Sequence, residues 1–150
     1  MRIYNNVSEF EVCINGSRKW KRFIEAIGKV KCLSNDEAYS IGDSITFWTH
    51  DLRCVVEKRF IGSRRYQTAL YSVSGTAYID IADKGNLLPV ERYSDLNDRE
   101  YFVGSGETVQ LHEGGILLID MSEAFKILQQ SYGVLMQAQV TVEGFSFPNK

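Results

Sequence analysis

The residues best placed to do chemistry lie in one short stretch, residues 60–75, which reads FIGSRRYQTALYSVSG. Side chains along a β-strand point alternately to its two faces, so every second residue of this stretch shares a face. One such face is half polar and carries Tyr66, Thr68, Leu70 and Ser72. It suits the wall of a binding pocket, the wall of a pocket that has lost its ligand, or ordinary packing between two sheets.

Two arginines precede this strand, and by the same alternation Arg64 shares the half-polar face whereas Arg65 points away. Burying an arginine is costly unless its charge is paired. Arg64 is therefore expected to bind an anionic or hydroxyl-rich ligand, or to pair with an acid such as Asp120 or Glu107. The alternative, two surface arginines at a strand end, stays open. Asp120 follows the apolar segment Gly115–Ile119 directly, which places it at the rim of a pocket.

Other catalytic signatures are weak. The chain has two histidines, His50 and His112, both in segments that read as solvent-facing turns, whereas a metal site of the cupin type needs two or three histidines and a carboxylate. The sequence Gly104-Ser105-Gly106-Glu107 lacks the lysine and the following helix of a phosphate loop, so we interpret it as a β-turn. The carboxylate pairs Asp98/Glu100 and Asp120/Glu123 are expected to be mostly solvated.

Composition narrows the class of protein. The 150 residues suit one domain, residues 1–150, and the net charge of −2 without a basic patch gives no reason to expect nucleic acid as a partner. No apolar run approaches a membrane span, and the polar start Met1–Asn6 does not resemble a signal peptide, so a cytoplasmic protein without a membrane partner is expected. Cys13, Cys32 and Cys54 form no CxxC motif and are expected to be reduced, buried thiols.

The elements that must position these residues change type along the chain. Ser8–Glu11 predicts a capping box for a first helix. Ser17 can cap a second helix, whose apolar stripe is Trp20, Phe23, Ile24 and Ile27 and which is expected to end at Gly28. From Ala38 onward, period-two segments separated by glycine turns predict a β-sandwich or jelly roll. The predicted strands are Ala38–Ile41, Ser44–Trp48, Cys54–Phe60, Tyr66–Ser74, Thr76–Ala82, Leu88–Arg92, Thr108–His112, Gly115–Ile119, Phe125–Gln129 and Val134–Val142.

Several motifs, considered as a set with chain length and order, carry a family resemblance. They include Met1-Arg2-Ile3, Lys19-Trp20, Ser40-Ile41-Gly42-Asp43-Ser44, Gly62 with Arg64-Arg65-Tyr66, Asp98-Arg99-Glu100-Tyr101, Gly106-Glu107-Thr108-Val109 and His112-Glu113-Gly114. The sequence resembles the YhcH/YjgK/YiaL family nearly end to end, and within it most closely the beta subunits of evolved β-galactosidases. The resemblance implies a mainly β, cupin-like jelly-roll sandwich with short N-terminal helices. It also implies a link to small sugars, with a metal held in the barrel for anomer or isomer interconversion.

The resemblance also implies where the family's metal ligands would lie. Relatives carry the pattern His-x-x-Tyr-x-acid-x-His, and the matching positions here are Ser63, Tyr66, Thr68 and Leu70. A further family histidine corresponds to Ser122, and other site positions correspond to Phe125, Gln139 and Leu135. A neutral hydroxyl is a poor ligand for a transition metal and a leucine is none. We therefore predict that the metal is lost and that the protein has no cofactor.

Two functions remain open. The leading hypothesis is a non-catalytic accessory subunit of a β-galactosidase-like enzyme, or a diverged relative of one, with a large catalytic chain as partner. Self-association is expected by analogy with cupin-like folds. The alternative is a metal-free sugar anomerase, isomerase or sugar-binding protein. Its candidate pocket residues are Arg64, Tyr66, Thr68, Leu70, Glu107, Asp120 and Ser122.

Overall fold

The computed structural model describes residues 1–14, 17–30, 39–41, 45–54 and 57–141. These residues form helices α1 (Val7–Ile14) and α2 (Arg18–Lys29), followed mostly by β-structure. The strands are β1 (Arg2–Tyr4), β2 (Tyr39–Ile41), β3 (Ile45–Asp51), β4 (Phe60–Gly62), β5 (Tyr66–Asp83), β6 (Leu88–Ser94), β7 (Arg99–Val103), β8 (Glu107–Leu111), β9 (Ile116–Ile119), β10 (Glu123–Ile127) and β11 (Tyr132–Thr141). The prediction of a mainly β sandwich with short N-terminal helices is confirmed.

The strands pair antiparallel in two sheets that share β5. In the first sheet, here called the helix-side sheet, the strand order is β1-β9-β5-β11-β3-β2. In the second, here called the outer sheet, the order is β8-β5-β10-β4-β7-β6. The first half of β5 therefore belongs to one sheet and its second half to the other, which joins the two layers covalently.

The passage of β5 between the sheets depends on two glycines. Gly75 lies opposite Gly133 of β11, and both have positive φ angles, +73° and +97°. A Cβ atom at Gly133 would lie 2.0 Å from the carbonyl oxygen of Ser74, so the two backbones approach more closely than a side chain allows. The sequence predicted a turn at Gly75 between two strands; the structure instead has one strand of 18 residues.

The helices cover the free face of the helix-side sheet. Trp20, Phe23 and Ala26 of α2 are buried against a core that includes Ala69 and Met136. The cap of α1 differs from the prediction, because Asn6 accepts a hydrogen bond from the Glu9 backbone at 2.9 Å and the Glu9 carboxylate accepts from the Asn5 backbone at 2.7 Å. Helix α2 also continues past Gly28 to Lys29. In the part of the chain that is described, no helix is long and apolar enough to cross a membrane.

Alternation along β11 separates the two faces of the helix-side sheet. Met136, Ala138 and Val140 pack toward the helices. The intervening residues point toward the outer sheet, where Leu135 joins a second core. Gln137 and Gln139 follow Leu135 on the same inner face, so the space between the sheets changes from apolar to polar toward one end.

One predicted strand is wrong and two others were missed. The segment predicted as the strand Cys54–Phe60 begins with a single 3₁₀ turn at Leu52–Cys54, and the strand itself is Phe60–Gly62. The cause is local, since the Glu57 carboxylate accepts a hydrogen bond from the Arg59 backbone at 3.0 Å and holds a turn. Strands β1 and β7 were not predicted; the other predicted strands correspond to observed ones with shifted ends.

Candidate functional site

A small polar void lies between the two sheets, here called the inner void. Its volume is about 10 Å³, which is room for about one water molecule. Its wall includes Ser63, Tyr66, Thr68, Asp98, Phe125 and Gln139. The half-polar face of β5 therefore does border a space between the sheets, but that space is nearly filled by protein atoms.

Asp98 closes one side of the inner void and is the most heavily hydrogen-bonded acid there. It is 4% exposed, and its carboxylate accepts from the Ser63 hydroxyl, from the backbones of Arg64 (2.9 Å) and Arg65 (3.3 Å), and from the Tyr93 hydroxyl (2.5 Å). These contacts fix the turn between β4 and β5. Asp98 has a φ of +50°, a conformation that aspartate and asparagine tolerate better than most residues.

Glu100 forms a second charged contact with the same turn. It is 8% exposed and accepts from Arg64 Nε at 2.7 Å, while the Lys84 ammonium lies 2.8 Å from its other oxygen. The Arg64 guanidinium also lies 4.4 Å from the Tyr93 ring centroid. Arg64 therefore pairs with Glu100, not with Asp120 or Glu107 as the sequence suggested, and it occupies a bend before β5 instead of continuing the half-polar face.

These contacts hold both acids in the ionised form. Burial raises the pKa of Asp98, but the hydrogen bonds from Ser63, Tyr93 and the two backbone donors outweigh it, so the pKa lies below its ordinary value. The pKa of Glu100 is likewise lowered, because hydrogen bonds from Arg64 and Lys84 outweigh burial. Burial, followed by the bond to Asp98, raises the pKa of Tyr93 to about 12. The expectation that the Asp98/Glu100 pair is solvated is wrong.

A larger cavity adjoins the inner void, and we call it the outer cavity. Its volume is about 230 Å³, and it shares Ile61, Arg99, Phe125 and Gln137 with the wall of the inner void. The rest of its wall includes His50, Glu57 and Arg59. Apolar surface from Ile61 and Phe125 thus faces guanidinium, carboxamide and imidazole groups, a combination suited to a small polar ligand.

The polar side of the outer cavity includes a chain of hydrogen bonds on β3 and β11. The Trp48 indole N–H donates to His50 Nε2 at 2.9 Å, and Gln137 Oε1 lies 3.1 Å from the same nitrogen. An indole N–H can only donate, so His50 Nε2 is the acceptor of the bond from Trp48. His50 lies on β3 and is half-buried, so its assignment to a solvent-facing loop is corrected. His112 is exposed, and its Nδ1 lies 3.3 Å from the Thr76 hydroxyl.

The structure separates the remaining candidate residues. Asp120 is exposed at the edge of the inner void and accepts from the Gln67 amide at 3.1 Å. Leu70 is fully buried in the core between the sheets, with Leu135. Glu107 is exposed on β8, opposite Ile81. Four of the candidate residues line neither cavity: Leu70, Glu107, Arg64 and Ser122. Ser122 is exposed in the turn before β10.

The cysteines also differ from expectation. Cys13 and Cys54 are free thiols, but both are exposed and not buried, and Cys54 borders the outer cavity. Cys32 lies outside the described residues.

The residues at the positions where the resemblance implies metal ligands do not fit a transition metal. The Ser63 hydroxyl is committed to Asp98, Thr68 offers a neutral hydroxyl, and Leu70 offers no donor. Among the described residues, no group of three or more histidine, cysteine, aspartate or glutamate side chains could hold a metal ion.

Comparison with known proteins identifies no family for this chain. No protein-family model matches the sequence. Solved structures that resemble the chain include a cupin protein from Bacteroides fragilis, with 16% identity over 77% of this chain and 85% of that one and a TM-score of 0.46. They also include the hydroquinone 1,2-dioxygenase PnpCD, solved with Cd²⁺ and 4-hydroxybenzonitrile. The match has 13% identity, covers 77% of this chain and 71% of that one, and has a TM-score of 0.46. The described part of the chain is an antiparallel β-sandwich with two N-terminal helices.

Proposed function

We propose that this protein binds a small hydroxyl-rich molecule of monosaccharide size in the outer cavity, without a metal, and that it is not itself a catalyst. The observation that carries the proposal is the contrast between the two spaces. The inner void has room for about one water molecule, whereas the outer cavity has a volume of about 230 Å³ and a wall of mixed polar and apolar groups. Sugars present hydroxyl groups and apolar C–H faces, which such a wall can contact together.

The state of the buried acids supports a binding role. Interconversion of sugar anomers needs a general acid or base whose pKa is near the working pH. Asp98 and Glu100 have lowered pKa values and are committed to the turn between β4 and β5. The wall of the outer cavity instead offers Gln137 and His50, which suit hydrogen bonding to a neutral hydroxyl group.

A titration of the ¹⁵N-labelled protein with galactose and glucose tests this proposal. We expect fast-exchange shifts for the backbone amides of Ile61, Phe125 and Gln137, and loss of those shifts in Gln137→Ala. Gln110→Ala, an exposed glutamine on β8, serves as the matched control and should bind like the wild type. In parallel, NMR measurement of anomer exchange should show no increase in rate. Shifts scattered away from the outer cavity, or a faster exchange rate, would contradict the proposal.

The accessory-subunit hypothesis has a separate observation in its favour. Strand β6 is an edge of the outer sheet, and it exposes Leu88 (65%) and Val90 (46%) next to Val103 (40%) of β7. Exposed apolar side chains at one edge are typical of a protein-binding surface. We propose a β-galactosidase-like large chain as the occupant. When the two chains are co-expressed, Leu88→Arg should abolish co-purification of the large chain. Val12→Arg, at an exposed apolar site on α1, should not. Absence of any complex between the large chain and the wild-type protein would refute this partner.

A further inference from the structure

Arg99 is a half-buried cation without a counterion in the described part of the chain. It borders both the inner void and the outer cavity. No carboxylate in the described ranges lies within 4.0 Å of its side-chain nitrogens. A cation removed from water without a partner is unfavourable, and such groups concentrate where a ligand supplies the missing charge.

The direction of the Arg99 side chain follows from alternation along β7. Glu100 and Phe102 point to the outside of the outer sheet, where Glu100 binds Lys84 and Phe102 packs in a small core. Arg99 and Tyr101 therefore face the space between the sheets. The Arg59 guanidinium lies 4.0 Å from the Tyr101 ring centroid, which places a second arginine on the same inner surface.

Two other charged residues around the outer cavity are paired with each other. Glu57 accepts two hydrogen bonds from the Arg59 guanidinium, at 2.9 and 3.1 Å, and Arg59 also binds Glu91 at 3.1 Å. Lys126 borders the cavity, but its ammonium lies 4.9 Å from the centroid of the Phe60 ring, on the opposite face of the outer sheet.

The acids that share the inner void with Arg99 are also engaged elsewhere. Asp98 accepts four hydrogen bonds, and Asp120 accepts one from Gln67. Glu123 accepts from the Asp120 backbone at 3.0 Å. Arg59 is paired, and the Lys126 ammonium lies on the opposite face of the outer sheet. Within the described ranges, Arg99 is therefore the cation facing the outer cavity that has no carboxylate partner.

We infer that the ligand of the outer cavity bears an oxyanion group, a carboxylate or a phosphate, and that Arg99 binds this group. The guanidinium is planar and presents paired N–H donors, which match two oxygens of one anion. Gln137 and His50 then contact the uncharged part of the ligand. This inference rests on the proposed function, because it names the class of molecule that the same cavity takes.

Matched neutral and charged sugars test the inference by isothermal titration calorimetry at low ionic strength. The probes are galactose, galacturonate and galactose 6-phosphate. We expect at least one charged probe to bind about tenfold or more tightly than galactose, as a charge-assisted contact implies. Arg99→Gln should remove that difference in affinity between charged and neutral probes. Arg99→Lys should retain part of the difference because lysine keeps the charge but loses the planar fork.

The control is Arg53→Gln, which removes an exposed arginine whose partner is Asp51. It should bind all three probes like the wild type, and the thermal unfolding of each variant shows that it is folded.

Equal affinity of the wild type for neutral and charged sugars would overturn the inference while the proposed function stands. A charged-sugar preference that survives Arg99→Gln would overturn it as well. Failure of all three probes to bind would refute the proposed function itself. The comparison of galacturonate with galactose 6-phosphate identifies which oxyanion the cavity takes.

Discussion

Replacing Asp98 with asparagine should destabilise the protein strongly without changing its shape. Each carboxylate oxygen of Asp98 receives two donors: Oδ1 accepts from the Arg64 backbone and Tyr93, and Oδ2 accepts from Ser63 and the Arg65 backbone. Asparagine keeps one oxygen but presents an NH₂ group in place of the other. The Ser63 hydroxyl can rotate and accept from it, whereas the Arg65 N–H, at 3.3 Å, has no acceptor left.

The size of the effect follows from these losses. A buried donor without a partner costs about 1–3 kcal/mol, and each of the two remaining bonds loses charge assistance worth about 1 kcal/mol. The free energy of unfolding should therefore fall by about 3–5 kcal/mol, and the melting temperature by about 10 °C for a chain of this size. Because asparagine tolerates the φ of +50° at this position, the change isolates the charge from backbone strain.

Urea and thermal denaturation, followed by circular dichroism at several pH values, measure this effect. The pKa of Asp98 is lowered in the folded protein, so its contribution to stability is present above the ordinary aspartate pKa of about 3.9 and is lost as the pH falls through the folded-state pKa. The gap between wild type and Asp98→Asn should therefore be full at pH 7 and shrink below about pH 4. Asp95→Asn removes an 85% exposed acid that pairs with Arg65 at the surface, and it should shift the melting temperature by no more than about 2 °C. Equal stability of the two variants at pH 7 would refute the role assigned to Asp98.

Three further predictions test the fold and the cavity wall. Gly133→Ala should lower the free energy of unfolding by at least about 2 kcal/mol, because its Cβ would collide with the Ser74 carbonyl. Gly28→Ala lies in a helix with open space around it and should raise the free energy of unfolding by about 0.4–1 kcal/mol. Chemical denaturation measures both, and the opposite ranking would contradict the close approach of β5 and β11. By the same measurement, Leu70→Ala should lower the free energy of unfolding by about 2–5 kcal/mol. Leu96 is 97% exposed, and Leu96→Ala should change this free energy by no more than about 0.5 kcal/mol. Similar losses in the two variants would mean that Leu70 is not in the core. Adding Mn²⁺, Fe²⁺, Ni²⁺ or Zn²⁺ to the purified protein should not raise its melting temperature. A metal that did bind, at a hundred times its Kd, would stabilise the fold by about 2.7 kcal/mol. Stoichiometric metal in elemental analysis would contradict the prediction.

The sequence was most informative where one physical pattern dominated. The stripe of Trp20 and Phe23 predicted helix α2, and the alternation from Tyr66 onward predicted β5, because in both cases one face is buried and the other is not. The strand predicted at Cys54–Phe60 was wrong because apolar residues there favour a strand, whereas the Glu57 side chain binds the Arg59 backbone and holds a turn. Strand β7 was missed because its charged start, Arg99 and Glu100, hid the alternation.

The candidate site was harder to predict because its central contacts are distant in sequence. Ser63, Tyr66 and Thr68 were selected by alternation and by the family resemblance, and all three border the inner void. Asp98 binds Ser63 across 35 positions, and no local pattern reveals that a conspicuously acidic segment is folded inward. Arg99 and Gln137 were not selected either. The available signal was weak: arginine and tyrosine alternate in Arg99-Glu100-Tyr101, as they would on one face of a strand.

The hydrogen bonds of Asp98 also bear on where a ligand can bind. A molecule larger than water could enter the inner void only by displacing Ser63 or the turn that Arg64 and Arg65 form, and that would break charge-assisted bonds to a buried carboxylate. The outer cavity requires no such change, since its shared wall residues Phe125 and Gln137 already border about 230 Å³ of space. Ser63 and Leu70, two positions at which the resemblance implies a metal, thus stabilise the fold. Under the proposed function, the ligand is instead recognised by Arg99 and Gln137, which the resemblance does not indicate as ligands. For this reason Arg99, and not the half-polar face of β5, is the residue whose replacement should separate binding from stability.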